Sequence, residues 1–236
     1  MSPPVPELSV VIPAYNEEKR LGASLERICA YLDGRGEPYE ILVADDGSRD
    51  ATPEVAARFA GVRVLRSDVN QGKGAALKRG VLASRGRRVL LTDADLSTPI
   101  EELAKLEAAG AGAEVILGSR AAAGARILKH QPLYRELMGK TFNKLIKLAG
   151  VRGIADTQCG FKLLAGDAAR RLFARLHTAG FAYDVELVWL ARRHGYKVVE
   201  VGVTWIDSPD SRVHPIRHSW AMLREILRFR RYHRRG

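Results

Sequence analysis

Leu90–Pro99 reads LLTDADLSTP: an apolar run that ends in two aspartates one residue apart, followed by Ser, Thr and Pro. In an extended strand, residues i and i+2 share a side. Asp93 and Asp95 are therefore expected to aim two carboxylates into one small volume, where like charges repel. A cation is needed there, and a divalent metal with oxygen ligands suits the pair. The competing reading is that one Asp caps a helix opened by Pro99. This stretch alone leaves the two readings level.

Strands and helices alternate around the motif. Ser9–Ile12, Glu40–Ala44, Val62–Leu65, Arg88–Thr92 and Glu114–Leu117 read as short apolar strands. Leu21, Leu25, Ile28, Cys29 and Leu32 form a one-sided helical stripe. Thr52-Pro53 reads as an N-cap and first helical position. This rhythm predicts an α/β fold with a mainly parallel sheet covered by helices on both faces. The polar clusters follow strands, where open α/β sheets bind their ligands. The second half is less regular. A basic helix is expected at about Tyr134–Ala149, then a loop through GIADTQCGFKLL, then a helix from near Asp184. A strand over Lys197–Trp205 puts Val199, Val201, Val203 and Trp205 on one face, and a last helix runs almost to the end. No repeat, low-complexity tract or long linker divides the chain, so one domain over residues 1–236 is expected.

An apolar fraction of 46% supports a full core. The net charge of +11 fits nucleic acid, an anionic membrane surface or a phosphorylated substrate. The charge is concentrated at the end of the chain, and no RNP, KH or helix-turn-helix signature accompanies it, which argues against nucleic acid. Two cysteines, Cys29 and Cys159, give no disulfide framework and make a reducing compartment the default. The N-terminal MSPPVPELSVV lacks the features of a signal peptide, and no apolar run approaches the ~18 residues of a spanning helix. A soluble or peripheral protein is expected.

Three acidic clusters stand at strand ends. Pro13-Ala14-Tyr15-Asn16-Glu17 follows the first strand, Asp45-Asp46-Gly47-Ser48 the second, and Asp93-Ala94-Asp95 the fourth. Asp45 and Asp46 suit either a tight turn with capped backbone amides or an acid that binds the base or ribose of a nucleotide. Asn70-Gln71-Gly72-Lys73-Gly74 is a Gly-rich turn before a helix, a candidate anion cradle. It lacks the full Walker pattern, and GxGxxG does not follow the first strand.

VVIPAYNEE, VADDGSRDAT, NQGKGAALKRG, LTDADLSTP and GSR, in this order, resemble the family-2 glycosyltransferases of GT-A (Rossmann-like) fold. DTQCGFKLL, FAYDVELVWLA, VEVGVTW and DSRV extend the likeness, most closely to the dolichyl-phosphate β-glucosyltransferases and next to the dolichyl-phosphate mannosyltransferases. The resemblance implies a nucleotide-binding half over about 1–120 and an acceptor half over 121–236. Pro13, Tyr15, Glu17 and Asp45 would surround the donor's nucleoside. Asp93 and Asp95 would form the DxD-type pair, Asp95 the firmer metal ligand. Arg120 would face the diphosphate or the acceptor phosphate. Gln158 and the Asp184/Glu186 pair would border the sugar, and Ser211 and Arg212 would contact the lipid phosphate. The mannosyl enzymes usually carry Gln and His after DAD. Leu96-Ser97-Thr98 stand here, which weakens the mannosyl reading and removes one metal ligand.

The implied reaction is inverting transfer of glucose from UDP-glucose to a polyprenyl phosphate, with GDP-mannose or another acceptor as the runner-up. Mn2+ or Mg2+ and arginines would absorb the charge of the leaving diphosphate. An acceptor phosphate is largely ionised at neutral pH, so cations that position it, Arg120 and Arg212, matter more than a base. Asp184 suits a base for an alcohol acceptor, or the N-cap of its helix. From Arg212 onwards there are eight Arg and one Glu. Arg217, Arg224, Arg228, Arg231 and Arg235 share one helical face, opposite Ile216, Trp220, Leu223, Ile226, Leu227 and Phe229. This basic amphipathic helix suits a headgroup interface or a helix docked on the sheet with a solvated Arg face. Lys140, Lys144 and Lys147 in the earlier helix favour the membrane. The expected location is peripheral, at the cytoplasmic membrane face, with no spanning segment.

Overall fold

The structure, a computed structural model, describes residues 5–129, 153–207 and 215–233. Its first half alternates β1 (Leu8–Ala14), α1 (Leu21–Asp33), β2 (Tyr39–Asp45), α2 (Thr52–Ala57), β3 (Val62–Arg66), α3 (Lys73–Ala83) and β4 (Arg88–Leu91). A 3₁₀ turn (Ile100–Glu102) leads into α4 (Leu103–Ala109), β5 (Val115–Ser119) and β6 (Arg126–Lys129). Then follow β7 (Lys162–Ala165), α5 (Gly166–Arg175), α6 (Tyr183–Arg193), β8 (Val198–Gly202), β9 (Thr204–Ile206) and α7 (Pro215–Tyr232).

Seven strands form one sheet in the order β3-β2-β1-β4-β7-β5-β8. Only β7 runs antiparallel, between β4 and β5. Val10, Val11 and Ile12 of β1 are fully buried, as a parallel strand covered on both faces requires. Val10 and Ile12 pack with Leu21, Leu25, Ile28 and Leu32 of α1 and with Leu103 and Leu106 of α4. Val11 points to the other face, towards Leu77 and Val81 of α3 and the apolar sides of α5, α6 and α7. The alternation along one strand thus builds two helical layers, and the expected α/β architecture is present.

Three expectations need correction. The KLL end of the GIADTQCGFKLL segment, expected as loop, begins β7, which pairs with both neighbours, Leu91 and Leu117 each opposite Lys162. The expected strand Lys197–Trp205 is two strands: Val203 is buried between them, and β9 leaves the main sheet to pair with β6. Thr52 opens α2 as its first residue rather than its cap, which falls at Ala51. The basic helix expected at Tyr134–Ala149 lies outside the described residues.

The last helix, α7, docks by its apolar side. Met222, Ile226 and Phe229 are buried, with Phe229 5.9 Å from the Trp189 ring of α6. The Glu225 carboxylate accepts the amides of Gly180 and Ala182. Arg224, Arg228 and Arg231 are exposed. Its described contacts are with α6 and the Gly180–Ala182 segment rather than with the sheet. Among the described residues no helix is long and apolar enough to cross a membrane.

Candidate active site

The register brings the strand ends together: Ala14 pairs with Asp45, and Val11 with Leu91. The loop after β1 is stitched to the loop after β2. The Asn16 amide donates to Ser48 Oγ at 2.9 Å, its Oδ1 accepts from the Arg49 amide at 2.8 Å, and the Glu17 amide donates to Thr52 Oγ1 at 2.7 Å. Asn16 sits at φ 55°, which Asn tolerates better than most residues. Pro13, Tyr15 and Glu17 remain partly exposed on this edge. Asp45 is fully buried, accepts from the Ser48 amide at 3.3 Å and lies 3.8 Å from Arg66 Nε.

Asp46 is a turn residue in the structural sense. Its two oxygens accept the amides of Gln71, at 3.1 Å, and Gly72, at 2.7 Å. The Gly-rich turn, expected to cradle an external anion, thus holds an internal one with these two amides. Gly72 adopts φ 107°, and a Cβ there would lie 2.5 Å from the Ala179 carbonyl oxygen. Lys73, the first residue of α3, reaches across to Asp93 Oδ1 at 2.6 Å.

The two aspartates of DAD do not lie on a strand. β4 ends at Leu91, and Asp93–Leu96 form a turn closed by the Leu96 amide donating to the Asp93 carbonyl at 3.2 Å. Leu96 has φ 47°. The alternation argument therefore fails, because the chain bends before it applies. Both carboxylates still belong to one short turn at the strand edge. Neither caps the following 3₁₀ turn, whose N-cap is Pro99; Asp95 Oδ1 instead accepts the Ser97 amide at 3.0 Å. Each acid faces an internal cation: Lys73 at Asp93, and Arg20 Nη1 3.5 Å from Asp95 Oδ2. Arg20 also pairs with Glu17 at 2.6 Å. Burial acts to raise the pKa of Asp93, but the Lys73 ammonium outweighs it and holds the carboxyl below its usual value.

Among the described residues there is no cluster of three or more His, Cys, Asp or Glu for a metal. Two carboxylate residues with side chains 34% and 19% exposed suit Mg2+ or Mn2+, which are commonly held by one or two carboxylates, waters and substrate phosphates. The donor set fits such an ion shared with a diphosphate.

Beneath this edge lies a charged floor that sequence reasoning missed. Lys162, fully buried at the start of β7, donates from Nζ to Asp184 Oδ1 at 2.5 Å and to the Cys159 carbonyl oxygen. The signal was present as a lysine inside an apolar run, Phe161–Leu164, since a lone buried cation needs a partner. α6 begins at Tyr183 with Ala182 at its N-cap, so Asp184 is not a cap. It is 3% exposed, and burial raises its pKa despite Lys162 and Lys73. Glu186 is spent elsewhere: its carboxylate accepts the amides of His177 and Thr178 and meets His233 Nε2 at 2.8 Å. Arg120 grips Asp156 through Nε at 2.7 Å and Nη2 at 2.9 Å, with its guanidinium 5.5 Å from the Trp205 ring. Burial opposes ionisation of Asp156, but Arg120 overcomes it and holds the carboxyl at about 2. Gln158 lies beside α7, its Nε2 3.7 Å from Met222 Sδ. Ser211 and Arg212 lie outside the described residues.

Residues 9–173 match the sequence profile of glycosyl transferase family 2. The chain belongs to that family. Among family-2 relatives, the human "Dolichyl-phosphate beta-glucosyltransferase" is 36% identical over 96% of this chain and 75% of its own length. The Drosophila melanogaster protein of the same name is 39% identical over 92% of this chain and 72% of its own. The crystal structure of Mycobacterium tuberculosis glucosyl-3-phosphoglycerate synthase with Mn2+ and UDP-glucose superposes with a TM-score of 0.67 at 20% identity, over 94% of this chain and 77% of that one. At that identity the likeness shows the fold, which is GT-A, as the resemblance implied.

Proposed function

We propose that this family-2 glycosyltransferase transfers glucose, with inversion, from UDP-glucose to a polyprenyl phosphate of the dolichyl type. The observation that carries the reading joins the relatives' name to the state of Asp184. Asp184, the candidate base, is locked to Lys162 and 3% exposed. An alcohol acceptor needs a base, whereas a phosphate arrives already ionised.

Asp93 and Asp95 would hold Mn2+ or Mg2+. When bound, such an ion supplies neutralisation of the leaving diphosphate. Lys73, now on Asp93, adds a second positive charge where the diphosphate departs. Pro13, Tyr15 and Glu17 line the edge assigned to the nucleoside, with the buried Asp45 behind them, and Gln158 the sugar side. Asp46 acts by shaping the Gly72–Lys73 turn. Arg120, with Ser211 and Arg212, positions the acceptor phosphate. The chain works as one unit, because β7 and β8 from the acceptor half complete the sheet that begins in the donor half. The exposed Arg224, Arg228 and Arg231 suit contact with anionic headgroups at the cytoplasmic membrane face.

The test is transfer from a panel of labelled sugar nucleotides to a short polyprenyl phosphate in Mn2+. Glucose from UDP-glucose is expected to be transferred best. Preference for GDP-mannose overturns the donor, and transfer to the polyprenol instead of its phosphate overturns the acceptor.

A further inference from the structure

We propose that Lys162 is a positioning residue for the transfer reaction: from beneath the DAD turn it fixes both the Cys159–Phe161 turn on which Asp93 leans and the buried Asp184. The inference rests on the reading that Asp93 helps to hold the donor's divalent ion.

The middle of a seven-stranded sheet is a costly place for an ammonium group. Well-packed apolar residues in place of a buried ion pair are often as stable or more so, so stability alone does not account for this lysine. Its contacts point to the DAD turn. Nζ donates to the Cys159 carbonyl oxygen, three residues back, and so closes the turn before β7. The next residue, Gly160, packs its Cα against the Asp93 carboxylate so closely that a Cβ would lie 2.1 Å from Oδ2. Phe161 ties the same turn to β5 by accepting the Gly118 amide at 2.8 Å. Asp93 thus rests on a floor whose two ends are set by Lys162 Nζ and by β5. The same Nζ holds Asp184 Oδ1 at 2.5 Å, 5.7 Å from the centre of the Tyr183 ring. Tyr183 is fully buried beside the pair. One ammonium therefore serves two carboxylates from different elements.

The experiment compares wild type, Lys162→Met/Asp184→Asn and Lys162→Arg in the full chain. Melting temperature, Mn2+ affinity by electron paramagnetic resonance in the presence of UDP, and kcat with KM for UDP-glucose are measured. The double variant removes both charges, so a purely structural pair predicts recovery of all three properties. The proposal predicts a folded double variant whose Mn2+ affinity is weakened roughly 10–100-fold, the usual range for the partner of a metal ligand. It also predicts that kcat falls more than KM rises. Lys162→Arg keeps the charge but moves the donor, and Mn2+ affinity intermediate between the other two is expected. Wild-type Mn2+ affinity in either folded variant overturns the proposal. A wild-type chain that binds Mn2+ with UDP yet moves no glucose refutes the proposed function, while the Mn2+ comparison still decides the role of Lys162. A wild-type chain that binds no Mn2+ in the presence of UDP refutes both.

Discussion

Gly160→Ala isolates the position of Asp93 from its charge. The added methyl would lie 2.1 Å from Asp93 Oδ2 and 2.6 Å from its Cγ, whereas ordinary contacts begin at 3.4 Å. The carboxylate must therefore retreat by about 1.3 Å, the difference between the first and last of these distances. With its side chain 34% exposed, Asp93 can swing towards solvent, so the displacement costs position more than stability. A misplacement of about 1 Å in a catalytic site can cost roughly 10²-fold in rate, or about 2.7 kcal/mol of transition-state stabilisation. The assay is initial-rate transfer from labelled UDP-glucose, run beside thermal melting. A fall in kcat of about 100-fold is expected, with the melting temperature lowered by only a few degrees. Adding Asp93→Ala should cost less than it does in the wild type, because the two losses overlap. A wild-type rate in Gly160→Ala, or losses that add in the double variant, would refute the reasoning.

The Arg120–Asp156 pair makes stability depend on acid. A carboxyl held at about 2 in the fold against 3.8 unfolded contributes about 2 kcal/mol. That contribution is fully present above about pH 4 and lost as the pH falls towards 2. Denaturant melts across this range should show the loss, and Asp156→Asn should flatten it. Replacing Arg224, Arg228 and Arg231 with Ser removes three exposed charges worth about 1 kcal/mol each beside anionic lipid. Sedimentation with phosphatidylserine vesicles should weaken by about two powers of ten, with transfer to a detergent-dispersed acceptor unchanged. Glu186→Gln removes the charge from a fully buried carboxylate that holds two amides and His233. Amide exchange should quicken first in the last turns of α7, and exchange spread evenly over the chain would contradict that docking role.

Long periodic segments were legible. β1 and β2 are marked by the apolar runs Val10–Ile12 and Ile41–Ala44, and the stripe Leu21–Leu32 gives α1 its buried face. The strand-end acids were legible as a group, because a parallel sheet delivers the ends of β1, β2 and β4 to one edge. What failed was short or tertiary. Four residues, Lys162–Ala165, are too short to carry a readable period. The partner that makes Lys162 a strand residue, Asp184, stands 22 positions away. The DAD geometry was misread because Leu91 ends its strand before the acids begin. Asp46 stays open in the sequence between turn residue and nucleotide ligand, because nothing local reveals that Gln71 and Gly72, 25 and 26 residues on, occupy both its oxygens. In α7 the apolar stripe was clear, but only packing reveals that Met222, Ile226 and Phe229 face the protein.

Calorimetric titration of UDP, with and without Mn2+, into wild type and Asp95→Ala tests the metal reading most directly. Mn2+ should tighten UDP binding to the wild type by at least tenfold, about 1.4 kcal/mol, and leave the variant, folded and melting normally, indifferent to the ion. Equal tightening in both proteins would place the metal, and the diphosphate it grips, somewhere other than the DAD turn.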